Sequence, residues 1–229
     1  MAEELGKIEK PTVESFRGGR KIFVIPLVFA GDEAPQEYRE KCDRYWRQVV
    51  EQIAGQESRV GKTARVYHES IAIGGEDGLK VMERWNQQSY QIVKEKVGGG
   101  AVLEATELAG LADECMDWER CLMLGFFSRK VADTIAENYR ISSKERYEYI
   151  SHRIGENLQT GEVALLFIRE AHAVQFPADI DVFMVAPPAL DEIHRWLRDR
   201  RQSAEEGQES EEHEEHEHTD DGERGKPAK

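Results

Sequence analysis

The stretch Lys21-Ile-Phe-Val-Ile-Pro-Leu-Val-Phe-Ala30 decides the fold class of this chain. It is almost continuously apolar and rich in β-branched and aromatic residues, which is typical of a strand buried on both faces of a parallel or mixed sheet. Because Pro26 lacks a backbone N–H, we expect the strand to end, bulge or leave one side unpaired there. The run Val-Ala-Leu-Leu-Phe-Ile over 163–168 predicts a second buried strand of the same kind.

Amphipathic helices alternate with the predicted strands. Apolar residues recur at three- and four-residue steps from Tyr38 to Ile53, and Gly55 is expected to end that helix. Further helices are predicted over 76–97, 107–124, 126–139, a segment that Ser142 or Ser143 caps, and 189–201. Further strands are predicted over 63–73, 101–106 and 180–185. This alternation predicts an α/β fold, with a central, mostly parallel or mixed sheet of four to five strands flanked by helices.

Charge is distributed unevenly along the 229 residues. The net charge is −14, but residues 203–229 alone hold 11 acidic and 3 basic residues, a net of −8, which leaves −6 for the other 202 residues. The acidic segment has almost no apolar side chains, so we predict a disordered, His-rich tail over 203–229. The remaining chain is interpreted as a flexible N-terminal arm over 1–19 and a single α/β domain over 20–202.

Composition and motifs exclude several classes of protein. The three cysteines, Cys42, Cys115 and Cys121, do not suggest a disulfide framework. The sequence has no apolar run of the roughly 18 residues that a membrane span needs and no secretory signal, which predicts a soluble cytoplasmic protein with no membrane partner. Gly61-Lys62-Thr63 lacks both the glycine spacing and the strand–loop–helix context of a phosphate-binding loop, and no cofactor is predicted.

Polar residues follow the buried strands and form the catalytic candidates. Glu170 and His172 come directly after the strand at 163–168, and Asp179 precedes the next strand. Glu69 lies near the end of the strand that begins at residue 63. A histidine near carboxylates has a tunable pKa, and ligands of α/β sheets collect at the carboxyl ends of strands. These residues can therefore serve acid–base chemistry or fix turns by hydrogen bonds.

Two other groups of side chains suggest binding. Arg17, Arg20 and Lys21, flanked by Phe16 and Phe23, are candidates for RNA contacts through phosphates and stacking. A flexible arm whose charges favour solubility is the alternative. Three histidines in the acidic tail could bind Zn²⁺ or Ni²⁺, and the alternative is a solvating polyelectrolyte. These histidines are His213, His216 and His218.

The segment Ile154-Gly-Glu-Asn-Leu-Gln-Thr-Gly161-Glu-Val163-Ala-Leu-Leu-Phe-Ile168-Arg-Glu170 resembles a known unit. It is similar to the helix, glycine and buried strand of the L30e-like domain in archaeal and eukaryotic peptide release factors. The resemblance covers 17 residues and implies the fold of this unit and a translation-associated function. The Gly-Gly-Gln tripeptide of active release factors is absent from this sequence.

The sequence leaves three classes of function open. The first is a non-catalytic regulatory or scaffold protein that acts through a protein partner or a homo-oligomer, and the absence of catalytic signatures such as G-x-S-x-G or H-E-x-x-H favours it. The second is an RNA- or ribosome-binding protein. The third is a small hydrolase or transferase that uses Glu170 and His172.

Overall fold

The computed structural model describes residues 18–203. The predicted arm up to residue 17 and the predicted tail from residue 204 lie outside the described residues. The described residues divide into two compact units, one formed by 18–29 with 46–186 and the other by 30–45 with 187–203. The assignment of one domain to 20–202 remains a prediction.

The first unit is built on a parallel sheet, which confirms the predicted α/β class. Its five strands have the order β3-β2-β4-β1-β5, and every neighbouring pair is parallel. The strands are β1 (Arg20–Pro26), β2 (Thr63–His68), β3 (Val102–Leu103), β4 (Val163–Ile168) and β5 (Ile180–Met184). Because the strands are parallel, their carboxyl ends meet at one edge of the sheet.

The two strands predicted to be buried lie side by side near the centre. All six residues of β4 are buried, and so are six of the seven residues of β1. Their register runs from Lys21 opposite Val163 to Pro26 opposite Ile168. The missing N–H of Pro26 is tolerated because β1 ends at that residue, as the sequence predicted.

Helices connect the strands. They are α1 (Gln36–Val60), α2 (Gly75–Trp85), α3 (Gln87–Gly98), α4 (Ala109–Leu122) and α5 (Arg129–Asn157), and residues 188–203 are also helical. One core cluster includes Ile150 and Ile154 of α5, which pack with the apolar side chains of β1 and β4. Among residues 18–203, no helix combines the length and the apolar composition that a bilayer span requires.

Three helix boundaries differ from the sequence-based prediction. Gly55 does not end α1, because one exposed glycine costs a helix only about 1 kcal/mol and is tolerated. The helix predicted over 76–97 is interrupted at Asn86, whose side chain accepts a hydrogen bond from the Ser89 N–H and caps α3. Ser142 starts no new helix, because its hydroxyl donates back to the Tyr139 carbonyl inside α5.

In the second unit, the described residues are 30–45 and 187–203. The ring centroids of Tyr38 and Trp196 lie 4.9 Å apart, and Arg44 pairs with Glu192 at 2.7 Å. These contacts join the first part of α1 to the helical residues 188–203. Burial raises the pKa of Tyr38 to about 12, so its hydroxyl stays protonated at neutral pH.

Candidate functional site

A cleft of about 400 Å³ opens at the carboxyl edge of the sheet, where β1, β2 and β4 end. β4 lies between β2 and β1, so residues that follow these three strands face a shared space. This edge is the favoured ligand position in open α/β sheets. The cleft is lined by Leu27, Phe29, His68, Glu69, Ser70, Trp85, Asn86, Glu119 and Arg169.

The base of the cleft is a carboxylate held by two arginines. Glu69 directly follows β2 and is 4% exposed. Its Oε2 accepts a hydrogen bond from the backbone N–H of Arg169 at 2.6 Å, and its Oε1 accepts from Arg169 Nε at 2.6 Å and from Arg146 Nη2 at 3.0 Å. This arrangement ties the end of β2 to the end of β4 and to α5.

Glu107 extends the ion-pair network beneath the cleft. Its carboxylate accepts from Arg146 Nε at 2.8 Å and from Arg146 Nη2, and both side chains are almost completely buried. Glu107 Oε1 also accepts from the backbone N–H of Ser70 at 2.9 Å. Ser70 has a φ of 70°, a left-handed conformation that is unfavourable for a serine. The network therefore holds a strained turn at the mouth of the cleft.

Neighbouring charges fix the charge state of Glu69 and Arg146. Burial by itself would raise the pKa of Glu69, but the charges of Arg169 and Arg146 and the hydrogen bonds from Arg169 outweigh it, and the pKa lies below its ordinary value. Burial by itself would lower the pKa of Arg146, but Glu107 and Glu69 raise it above its ordinary value. Both groups are therefore charged at neutral pH.

His68, the last residue of β2, is a neutral, buried histidine. Burial lowers its pKa to about 4, and the hydrogen bond to the Glu69 carbonyl only partly opposes this. The Glu69 carbonyl oxygen can only accept, so Nδ1 carries the proton and Nε2 accepts from the Ser89 hydroxyl at 3.0 Å. Ser89 is fully buried and does not line the cleft, so this serine–histidine pair offers no reachable nucleophile.

Exposed rings and unused donors form the upper part of the cleft. Trp85 is 60% exposed and Phe29 is 55% exposed. Asn86 is buried, and its Nδ2 has no hydrogen-bond partner among residues 18–203. Arg169 donates hydrogen bonds from its backbone N–H and its Nε to Glu69, and from its Nη1 to Glu119 at 3.0 Å. Within the described chain its Nη2 donates no hydrogen bond. The site can therefore offer the Nη2 donor of Arg169 beside an aromatic surface, with the unpartnered Nδ2 of Asn86 buried in the cleft wall.

Of the four catalytic candidates only Glu69 lines the cleft, although its charge acts on His172 and partly opposes the lowering of that pKa by burial. Glu69 lies in the cleft, but Asp179 precedes β5 at the opposite edge of the sheet, where it pairs with Arg20 at 2.7 Å. Glu170 is exposed and does not line the cleft. His172 is half-buried, which lowers its pKa, and its ring lies edge-on to Phe176 with the centroids 6.1 Å apart. A catalytic role for these residues remains a prediction.

The two described candidates for RNA contact, Arg20 and Lys21, donate hydrogen bonds within the fold. Arg20 donates to the carbonyls of Gly155 and Leu158 at 2.7 and 3.1 Å, besides its pair with Asp179. Lys21 is 1% exposed, and its Nζ donates to the Gly19 carbonyl at 3.1 Å. Arg17 lies outside the described residues, so RNA binding remains a prediction.

Metal binding is also untested at the predicted position. The three tail histidines, His213, His216 and His218, lie outside the described residues. Within residues 18–203, no group of three or more histidine, cysteine or carboxylate side chains is placed to hold a metal ion.

Sequence reasoning missed Arg146, Glu107 and Asn86. Arg146 carried a signal, because it lies four residues before Ile150 on the apolar face of α5, where a charged side chain indicates a buried ion pair. Glu107 had no such signal, since its partners lie 37 and 39 residues away. Asn86 stands inside an apparently continuous helical pattern, so its capping role was hidden.

No protein family, no curated protein and no solved structure matches the chain significantly. Function is therefore argued from the residues of this chain alone, and the likeness of residues 154–170 to the L30e-like domain remains a resemblance.

Proposed function

We propose that this chain is a non-catalytic regulatory protein that binds a small, neutral, planar molecule in the cleft and acts through a protein partner. The single observation that carries the proposal is the unused amide of Asn86. A buried donor without a partner costs about 1–3 kcal/mol, so its retention at a cleft wall suggests an acceptor supplied from outside.

The charge states of the cleft favour binding over catalysis. A general acid or base works best with a pKa near the operating pH. His68 has a pKa of about 4 and is neutral, while the pKa of Glu69 is lowered and its carboxylate is occupied by two arginines. Neither group is placed to exchange protons with a ligand near neutral pH.

The charge balance narrows the ligand class. Glu69, Glu107 and Glu119 contribute three negative charges, and Arg146 and Arg169 contribute two positive charges. With His68 neutral, the network carries a net charge of −1, which opposes a phosphate or another multivalent anion. A neutral ligand that carries acceptors fits the donor Arg169 Nη2, and it can also reach the buried Asn86 Nδ2 if the side chains of the cleft wall move on binding.

The shape of the cleft agrees with a planar ring. A volume of about 400 Å³ lies at the lower end of ordinary ligand pockets. The exposed indole of Trp85 gives such a ring a stacking surface, and Phe29 and Leu27 supply further apolar contact. Binding would order these side chains, and a protein partner could recognise that change.

Calorimetric titration with adenine, uracil, nicotinamide and inorganic phosphate tests the proposal. We expect at least one of the three neutral rings to bind more tightly than phosphate. Trp85→Ala should weaken binding about tenfold, and so should Asn86→Ser, which replaces the amide N–H donors with a shorter hydroxyl while keeping a residue that can cap α3. Val182→Ala, an exposed apolar truncation on β5, is the matched control and should bind like the natural chain.

Two results would contradict this function. If phosphate bound more tightly than every neutral ring, the charge argument would be wrong. If ring binding survived both Trp85→Ala and Asn86→Ser, the ligand would lie outside the cleft.

A further inference from the structure

Two apolar surfaces of opposite shape lie on the helical hairpin formed by α4 and α5. The first is a convex tip, residues 122–127, in which Met123, Leu124 and Phe127 are strongly exposed. Phe127 is fully exposed. Apolar side chains clustered at a protruding turn indicate contact with another molecule.

The second surface is a mostly apolar groove of about 800 Å³ between the second half of α5 and residues 173–177. Tyr147, Ser151 and Gly155 of α5 line it at four-residue steps, opposite Ala173 and Pro177. A Cβ on Gly155 would lie 3.3 Å from Pro177 Cγ, so the glycine permits close packing at the end of the groove.

A row of charges on α5 runs from the tip into the groove, whose lining includes Arg140, Lys144 and Glu148. At 100° per residue, its six side chains fall within an arc of about 80° on the helix. All of them are exposed. In chain order they are Lys130, Asp133, Glu137, Arg140, Lys144 and Glu148.

The signs in this row reverse about its midpoint. In chain order the charges are positive, negative, negative, positive, positive and negative. In reverse order, every position carries the opposite sign. An antiparallel copy of α5 would therefore place Lys130 opposite Glu148, Asp133 opposite Lys144, and Glu137 opposite Arg140. All three pairs form at the same alignment of the two helices, to within one residue. Opposite charges that meet along the whole row favour this register and penalise shifted ones.

The register set by the charges also matches the apolar surfaces. When Lys130 faces Glu148 of a second copy, Phe127 reaches the level of Ser151, and Met123 reaches the level of Gly155. The tip of each copy then meets the groove of the other. A two-fold axis near residues 138 and 139 makes both contacts equivalent, which closes the assembly at two chains.

We propose that this chain forms an antiparallel homodimer through α5, with the tip of each copy seated in the groove of the other. The proposal is independent of the ligand proposed for the cleft. Within residues 18–203 the other five members of the row already pair along the helix, Asp133 with Arg129 at 3.8 Å, Glu137 with Arg140 at 2.6 Å and Lys144 with Glu148 at 3.6 Å, and Lys130 forms no ion pair. These solvent-exposed pairs are weak and can exchange for pairs with a second copy. A second copy supplies the partner that Lys130 lacks.

Sedimentation of the full chain between about 1 and 100 µM tests the association. We expect a concentration-dependent dimer that Phe127→Ser weakens at least about tenfold, because the apolar contact of the ring is lost and the small neutral side chain cannot pair with Arg140 or Lys144 of the groove. Circular dichroism should show an unchanged fold, since Phe127 makes little contact within its own chain. A chain that stays monomeric at 100 µM overturns the proposal.

A charge swap identifies the register. Lys130→Glu should weaken the dimer about tenfold, since the change occurs twice per dimer, and adding Glu148→Lys should restore the affinity to within about threefold. The two residues lie roughly 27 Å apart on one helix, so they cannot compensate within a chain. A double variant that is weaker than both single variants overturns this register.

Disulfide trapping separates a second copy from other occupants. In a Cys121→Ser background, the pair Phe127→Cys and His152→Cys should form cross-linked dimers on oxidation, whereas Phe127→Cys with Lys80→Cys should not. The first pair cannot close within one chain, because the sites are more than 30 Å apart along α5 and a disulfide needs Cβ atoms about 4 Å apart. If the tip bound lipid vesicles and no cross-link formed, a membrane rather than a second copy would cover it, and the proposal would fail.

Discussion

Two arginines on α5, Arg140 and Arg146, show how strongly burial changes the value of the same interaction. Arg140 makes two hydrogen bonds to Glu137, at 2.8 and 2.6 Å, with both side chains more than half exposed. Arg146 makes two to Glu107 and one to Glu69, with every side chain nearly inaccessible. Water competes with the first set of contacts and is excluded from the second, so only the second set can be essential for folding.

The largest expected effect follows from removing one side of the buried network. Arg146→Met keeps an unbranched side chain but leaves Glu69 and Glu107 with one fewer cation in a buried site. We expect the free energy of unfolding to fall by about 3–5 kcal/mol, measured by urea denaturation at pH 7. Arg140→Met on the exposed side of the same helix is the matched control and, measured in dilute monomer, should leave the free energy of unfolding almost unchanged.

If Arg146→Met and Arg140→Met lowered the free energy of unfolding equally, the buried and the exposed arginine would not differ in their contribution to stability. A loss below 1 kcal/mol for Arg146→Met would mean that water or side-chain rearrangement compensates the two carboxylates. Adding Glu107→Gln to Arg146→Met should recover part of the loss, because it removes one of the stranded charges.

The second expected effect is a pH dependence that originates at His68. Above pH 6.5 the ring is neutral in both the folded and the unfolded chain, so it imposes no penalty. Between pH 6.5 and about 4, His68 is protonated in the unfolded chain but stays neutral in the folded chain. The free energy of unfolding therefore falls as the pH falls. A shift of this size corresponds to about 3 kcal/mol across the window, since one pKa unit is about 1.4 kcal/mol.

His68→Gln isolates this contribution. The difference in unfolding free energy between the natural chain and the variant should shrink steadily from pH 6.5 to 4. Glu69 has a lowered pKa, so its stabilising contribution is present above pH 4.5 and is lost only as the pH falls further. The two windows therefore separate, and a pH-independent difference between the two proteins would contradict a buried neutral His68.

The sequence predicted the parts of this comparison that depend on local pattern. The apolar runs that became β1 and β4 identified the centre of the sheet, because a strand buried on both faces must be apolar throughout. Because Glu69 lies near the end of the predicted strand that begins at residue 63, the sequence also placed it near the carboxyl edge of the sheet. These predictions needed only the alternation of strands and helices along the chain.

The buried network was not predictable in this way, because its members come from distant segments. Arg146 binds Glu107 and Glu69 across 39 and 77 residues, and only the packing of α5 on the sheet brings them together. The same limit applies to α5, which was predicted as two helices. Serines at 142 and 143 suggest a helix start, but burial of Ser142 and Arg146 on the sheet side keeps one helix continuous.

The smallest expected change in the free energy of unfolding comes from the exposed row of charges on α5. It tests whether an exposed ion pair stabilises this helix. Glu137→Gln removes the bidentate partner of Arg140, and the pKa of Glu137 is lowered chiefly by that hydrogen bond. Because both groups are solvated, we expect only a marginal loss of stability in dilute monomer, and salt at about 1 M should abolish it. Urea denaturation at 0.05 and 1 M sodium chloride measures both quantities. A loss as large as that of Arg146→Met that persists at high salt would mean that Arg140 is desolvated like Arg146, and the contrast between the two faces of α5 would disappear.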